Sequence, residues 1–135
     1  MLLLALFAAL SALTLAQSPY QYGCYTEGSN NIRALLSNSI TYEPVECYVE
    51  PPVGRALDSA MTGSDVTTVE VCANWCLNGG CKWFGLEYKR ECWCGTGVNP
   101  NATVASVATE CGMACSGDAG EICGGSGRVS DWKWV

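Results

Sequence analysis

Residues 81–95 read CKWFGLEYKRECWCG, and this stretch decides the fold. It holds three cysteines, two tryptophans, a phenylalanine and a tyrosine. The pattern is that of a β-hairpin: Trp83 to Tyr88 as one strand, Lys89-Arg90 as a charged turn, and Glu91 to Cys94 as the return. The two-residue period of the return strand puts Cys92 and Cys94 on one face and Glu91 and Trp93 on the other. Bridged cysteines belong inside, so Glu91 and Trp93 are expected to face outward. With a two-residue loop, Tyr88 sits opposite Glu91, and Tyr88, Glu91 and Trp93 share the outer face while Glu87 joins the cysteines. A loop one residue longer reverses that assignment for the first strand.

Upstream of the hairpin, Thr67-Thr68-Val69-Glu70 has the form of a capping box, with Thr67 as cap and Glu70 reaching back. The helix it opens runs through Cys76 and stops at Asn78-Gly79-Gly80. Cys72 and Cys76 are four residues apart and share a helix face. That face is expected to dock on the hairpin, with bridges to Cys92 and Cys94. Trp75 is expected in the core. Before the helix, Gly23-Cys24-Tyr25 begins the folded part as a short strand, with Cys24 bridged. Glu27 to Pro52 reads as a long surface excursion pinned by Cys47. Downstream, Thr96 to Thr109 is a loop of small residues with one glycosylation sequon, Asn101-Ala102-Thr103. The glycine-rich run 115–128 means turns rather than a phosphate-cradling loop, since no strand-loop-helix context surrounds it. Val129 to Val135 forms a last strand. Trp132 and Trp134 point the same way on it, and one of the two is expected to be exposed.

Composition bounds the class. The chain has 135 residues, ten cysteines, no histidine and a formal charge of −6. Leu2 to Ala16 is apolar apart from Ser11 and Thr14, too short to span a bilayer, and reads as a signal peptide over 1–16. Residues 17–135 then make one domain. An even cysteine count on an exported chain favours disulfides over zinc, so no metal or cofactor is expected. No stalk or second apolar segment follows the last strand, so a released product with no membrane association is expected, extracellular or wall-associated. Acidic charge argues against nucleic acid as a partner. Without histidine, Ser-His-Asp and Cys-His catalysis are impossible. Glu87 and Glu91 could pair at the hairpin as a glycosidase would need, but so small a scaffold offers little cleft depth, and no enzyme is expected.

The spacing of motifs resembles a known family. Gly23-Cys24-Tyr25, Arg55-Ala56-Leu57, Met61-Thr62, Thr68-Val69-Glu70-Val71-Cys72 with Cys76, GLEYKRECWCG, Cys111 with Cys115-Ser116-Gly117, Glu121-Ile122-Cys123-Gly124-Gly125 and Arg128 follow the order of the WSC domain. This is a cysteine-rich extracellular module common in fungi, and the resemblance covers nearly all of residues 23 to 131. It implies a small disulfide-rich α+β fold: an antiparallel sheet with one or two short helices and four disulfides. These draw on Cys24, Cys72, Cys76, Cys92, Cys94, Cys111, Cys115 and Cys123. It also implies binding of a neutral wall polysaccharide such as β-glucan by a standalone, lectin-like monomer. Two departures stand out: an insertion at about 27–54, and the extra Cys47 and Cys81, which are expected to bridge each other.

A neutral glycan needs flat aromatic surfaces for the C–H faces of its rings and polar groups for its hydroxyls. The candidates are Trp93, Tyr88, Trp83, Trp132 and Trp134, with Glu87, Glu91 and Lys89 as polar partners. Two other classes stay open: a structural wall protein, and a secreted effector or inhibitor that binds a protein partner.

Overall fold

The computed structural model describes Cys24 and residues 41–135. The expected signal peptide and the first part of the expected insertion lie outside the described residues. One antiparallel sheet of six strands dominates: β1 (Tyr42–Val49), β2 (Ala60–Gly63), β3 (Trp83–Glu87), β4 (Glu91–Gly95), β5 (Thr103–Val104) and β6 (Arg128–Trp134). Their spatial order is β2-β4-β3-β6-β1-β5. Among the described residues a single α-helix, α1 (Val69–Asn78), packs on one face, and a one-turn 3-10 helix spans Ala108–Glu110. The fold is the small disulfide-rich α+β class that the sequence implies.

The hairpin forms with the longer of the two loops. Glu87 pairs with Glu91, Gly85 with Trp93 and Leu86 with Cys92, leaving Tyr88-Lys89-Arg90 as a three-residue connection. Apolar pattern sets the register: only this pairing puts Phe84 and Leu86 on the same face as Cys92 and Cys94, under α1. Glu87 therefore shares the outer face with Glu91 and Trp93, and Tyr88 leaves the sheet. Tyr88 and Lys89 both take left-handed backbone conformations, at φ 48° and 61°. Backbone bonds offset that strain: Tyr88 N–H donates to Gly125 O at 3.2 Å and Lys89 N–H to Cys123 O at 2.9 Å. Gly124 makes this docking possible. Its φ is +71°, and a Cβ there would collide with the Leu86 carbonyl and lie 2.7 Å from Glu87 Cα.

The helix begins one residue later than its capping box suggests. Thr68 is the cap, its hydroxyl accepting from Val71 N–H at 3.1 Å. Thr67 is buried instead as a tie, accepting from Ser64 N–H at 3.2 Å and donating to Arg90 O at 2.9 Å. Cys72 and Cys76 face the sheet and bridge to Cys92 and Cys94 respectively. Around them Phe84, Leu86, Val69 and Leu77 make the main core.

Three expectations are corrected. Cys47 and Cys81 do not bridge each other: the pairs are Cys24–Cys81 and Cys47–Cys111, with Cys115–Cys123 as the fifth. Geometry forbids the expected bond. β1 lies two strands from β3, about 10 Å across the sheet, beyond the roughly 7 Å that a disulfide spans. The two cysteines are thus partners of Cys24 and Cys111, not an added pair.

Second, the stretch read as a surface excursion holds β1, an eight-residue strand inside the sheet that pairs with both β6 and β5. Pro44 hides it, because proline argues against a strand. The register shifts between Pro44 and Cys47, a bulge, which is where a sheet accepts proline. Likewise the 96–109 loop carries the two-residue edge strand β5. Third, neither Trp132 nor Trp134 is exposed. Both lie on the helix side. Trp134 is 8 % exposed and its indole N–H donates to Ala73 O at 3.3 Å. Trp132 stacks on Phe84 at 6.2 Å, with the edge of Tyr42 at 5.8 Å.

Candidate functional site

The sheet face away from α1 gathers most of the sequence-predicted site residues. Alternation puts Trp83, Gly85 and Glu87 of β3 on it, with Glu91, Trp93 and Gly95 of β4 and Val129, Asp131 and Lys133 of β6. Trp83 and Trp93 are diagonal neighbours on adjacent strands, a relation that spaces residues by roughly 7–8 Å. Both indoles are half-buried. Met61 of β2 pairs directly with Trp93 and is exposed beside it.

The segment 50–58 crosses this face. Leu57 lies over the two glycines, within 2.9 Å of where a Cβ of Gly85 or Gly95 would stand, and fills the notch between the tryptophans. Arg55 reaches over the Trp93 ring, its guanidinium carbon 4.3 Å from the ring centroid. Asn99 pins the segment, donating from its backbone N–H to Ala56 O at 2.8 Å and from its side chain to Arg55 O at 3.2 Å. At the other indole, Lys133 Nζ lies 5.6 Å from the Trp83 ring. Glu91 accepts from the Trp93 indole N–H at 3.1 Å, which fixes the ring's orientation. The surface thus alternates cation, indole, aliphatic plug, indole, cation.

Beneath it lies a carboxyl cluster. Arg55 Nη1 sits 3.3 Å from Glu87 Oε2 and 3.5 Å from Glu50 Oε1. Glu50 also accepts from Ala56 N–H at 2.7 Å. Glu87 is 4 % exposed, and its pKa is pushed up to about 7, first by burial and then by the hydrogen bond and charge of Glu50; Arg55 works against the rise. Asp131 is 1 % exposed and has no hydrogen-bond partner at either carboxyl oxygen among the described residues. Burial, with the charges of Glu50 and Glu87, raises its pKa to about 8. A Cβ on Gly85 would stand 2.5 Å from Asp131 Oδ1, so glycine there makes room for the carboxyl.

The structure brings Trp83, Trp93, Glu91 and Glu87 together. Glu87 is a buried support under Arg55 rather than a surface hydrogen-bonding group. Tyr88 stands at the hairpin tip, 50 % exposed, beside the exposed Lys89. Trp132 lies on the opposite face and cannot join this surface. Arg55, Glu50 and Asp131 were not among the expected site residues. For Asp131 a signal existed: alternation along β6 puts it in step with buried Val129, an unusual place for a carboxylate.

Two chemistries can be weighed on this geometry. Glu87 and Glu91 are directly opposite, but one is buried beneath a guanidinium and the other holds an indole, so they do not flank an open cleft. The sulfurs of Cys72, Cys76 and Cys92 lie within 4.8 Å of one another, yet all are bridged and have no thiolate to offer a metal. No helix among the described residues is long and apolar enough to cross a membrane.

Comparison with known proteins places the chain. It is 44% identical over 91 residues to a "Putative fungistatic metabolite" of Chaetomium globosum, covering 66% of this chain and 40% of that one. It is 37% identical over 89 residues to a WSC domain-containing protein of Arthroderma benhamiae, covering 66% of this chain and 12% of that protein. It is 32% identical over 87 residues to human Kremen protein 2, covering 64% and 19%. The chain therefore spans less than half the length of these relatives. The family model of the WSC domain matches residues 44–125, a span that contains the hairpin, both tryptophans of the face and every bridged cysteine except Cys24, and the chain belongs to the WSC domain family.

Proposed function

We propose that this protein is a non-catalytic, lectin-like module that holds a neutral cell-wall polysaccharide such as β-glucan against the sheet face away from α1. WSC domains are generally carbohydrate-binding or sensor-like, which supports the class. The observation that carries the site is the pair of half-buried indoles, Trp83 and Trp93, on one rigid sheet face, with Arg55 over one ring and Lys133 over the other and the rest of each indole left to a ligand. Sugar C–H faces lie on the indoles, while Glu91, Arg55 and Lys133 meet the hydroxyls. Tyr88 and Lys89 extend the surface at the hairpin tip. The chain acts as an exported monomer after loss of residues 1–16. Asn101, exposed in its turn, carries a glycan.

Co-sedimentation with insoluble β-glucan, chitin and xylan tests this. Wild type is expected to sediment with glucan. Trp93→Ala is expected to weaken binding about ten-fold, near 1.4 kcal/mol, with its thermal transition checked for folding. Undiminished binding by folded Trp93→Ala and Tyr88→Ala variants would remove this face.

The name of the Chaetomium relative favours a second reading, an effector released against fungal growth. Inhibition of fungal spore germination by the purified protein would support it, and wall binding would be its means.

A further inference from the structure

The helix side of the sheet carries a second concavity. α1 packs on β3 and β4, and beside it, over β6 and β1, a cavity of about 400 Å³ remains. That volume suits a small ligand rather than a polymer strand. Trp132 and the Cys47–Cys111 bridge line it, with Ala108 and Ile122 at its walls; Ile122 is 46 % exposed. Trp132 is half-buried and stacked from below on Phe84, so its ring is held rigidly.

The polar groups of the cavity are one-sided. Among the described residues, Glu46 and Glu121 belong to its lining, and no Lys or Arg does. Asp131 enters the wall between Ser130 and Trp132, but its carboxyl is turned to the other face, over Gly85. The neighbouring Tyr42 phenol senses the same sign of field: its pKa is raised by burial and then by Glu70 and Glu121.

We propose that this cavity is a separate subsite for an amino sugar, taking a hexosamine ring against Trp132 with its free ammonium toward Glu46 and Glu121. An ammonium is attracted both by carboxylates and by an indole face. A neutral ring of the same shape would desolvate the carboxylates without pairing them. An anionic sugar would be repelled. The subsite does not rest on the neutral-glycan reading, since it uses other residues on the opposite face. If both hold, one domain can touch a neutral chain on one side and a deacetylated one on the other.

Calorimetric titration at pH 5.5 with three trimers tests it: fully deacetylated chitin, its N-acetylated counterpart, and β-1,3-glucose. Spermidine supplies three positive charges without sugar rings. The deacetylated trimer is expected to bind at least ten-fold more tightly than the N-acetylated trimer or spermidine, and excess glucose trimer is not expected to displace it. Ala108→Trp fills the cavity without changing charge and is expected to abolish binding. Glu121→Gln, the milder variant, is expected to weaken it at least three-fold. Equal affinity for spermidine, displacement by the glucose trimer, or binding untouched by both folded variants would overturn the proposal.

Discussion

Asp131 and Glu87 are the residues whose environment departs most from the ordinary. Each has a folded-state pKa well above its unfolded value of about 4, near 8 and 7 respectively. The native state therefore keeps protons that the unfolded chain releases. The stability linked to them is fully present below about pH 4 and is lost as the pH rises toward 8. Thermal unfolding is expected at higher temperature at pH 5 than at pH 8.5. Asp131→Asn removes the charge at nearly constant shape. It is expected to raise the transition at pH 8.5 by about 5 °C and to flatten the pH dependence; an unchanged slope would contradict the buried-carboxyl account. At this scale the sequence was partly readable. Trp83, Trp93 and Glu91 are legible from alternation alone. Arg55 is not, because the segment that carries it over Trp93 is placed by Asn99, 44 residues away, and by Glu50.

The hairpin, the helix and the last strand are legible because their apolar patterns are local. What escapes is one residue of register. The loop takes three residues rather than two, because burying Phe84 and Leu86 with the cysteines outweighs the strain of two left-handed residues. The docking of the 123–125 backbone makes that loop affordable, and nothing within the hairpin announces it. Gly124→Ala is therefore expected to cost about 2 kcal/mol or more, read as a lower urea midpoint, although the position lies in a glycine-rich turn outside every strand and helix. A midpoint equal to wild type would show that the loop does not depend on this contact. Strand β1 was illegible for a related reason: its proline borders a bulge, and only the partner strand β6 shows that the ladder continues on both sides of the bulge.

Over the whole molecule the five bridges divide the labour. Cys72–Cys92 and Cys76–Cys94 staple α1 to the hairpin, while Cys47–Cys111 holds β1 to the 3-10 turn in a second small core with Ala105 and Val49. By loop-closure entropy, removing the 64-residue loop of Cys47–Cys111 costs about 4 kcal/mol, and the 8-residue loop of Cys115–Cys123 about 2.5 kcal/mol. Paired Cys→Ser variants compared in urea are expected to keep that order; the reverse order would mean that strain or residual structure decides. Cysteine count and spacing announce a bridged domain, but not the pairing of Cys47, which follows from strand order.

The central claim is that a neutral glycan lies on Trp83 and Trp93. The chain has five tryptophans, and their indole N–H signals can be followed separately by NMR during titration with a soluble β-1,3-glucan oligomer. The account predicts progressive shifts of the Trp83 and Trp93 signals, while those of Trp75, Trp132 and Trp134 stay in place. Shifts confined to the latter three, or no shift in a sample that binds the oligomer, would contradict it.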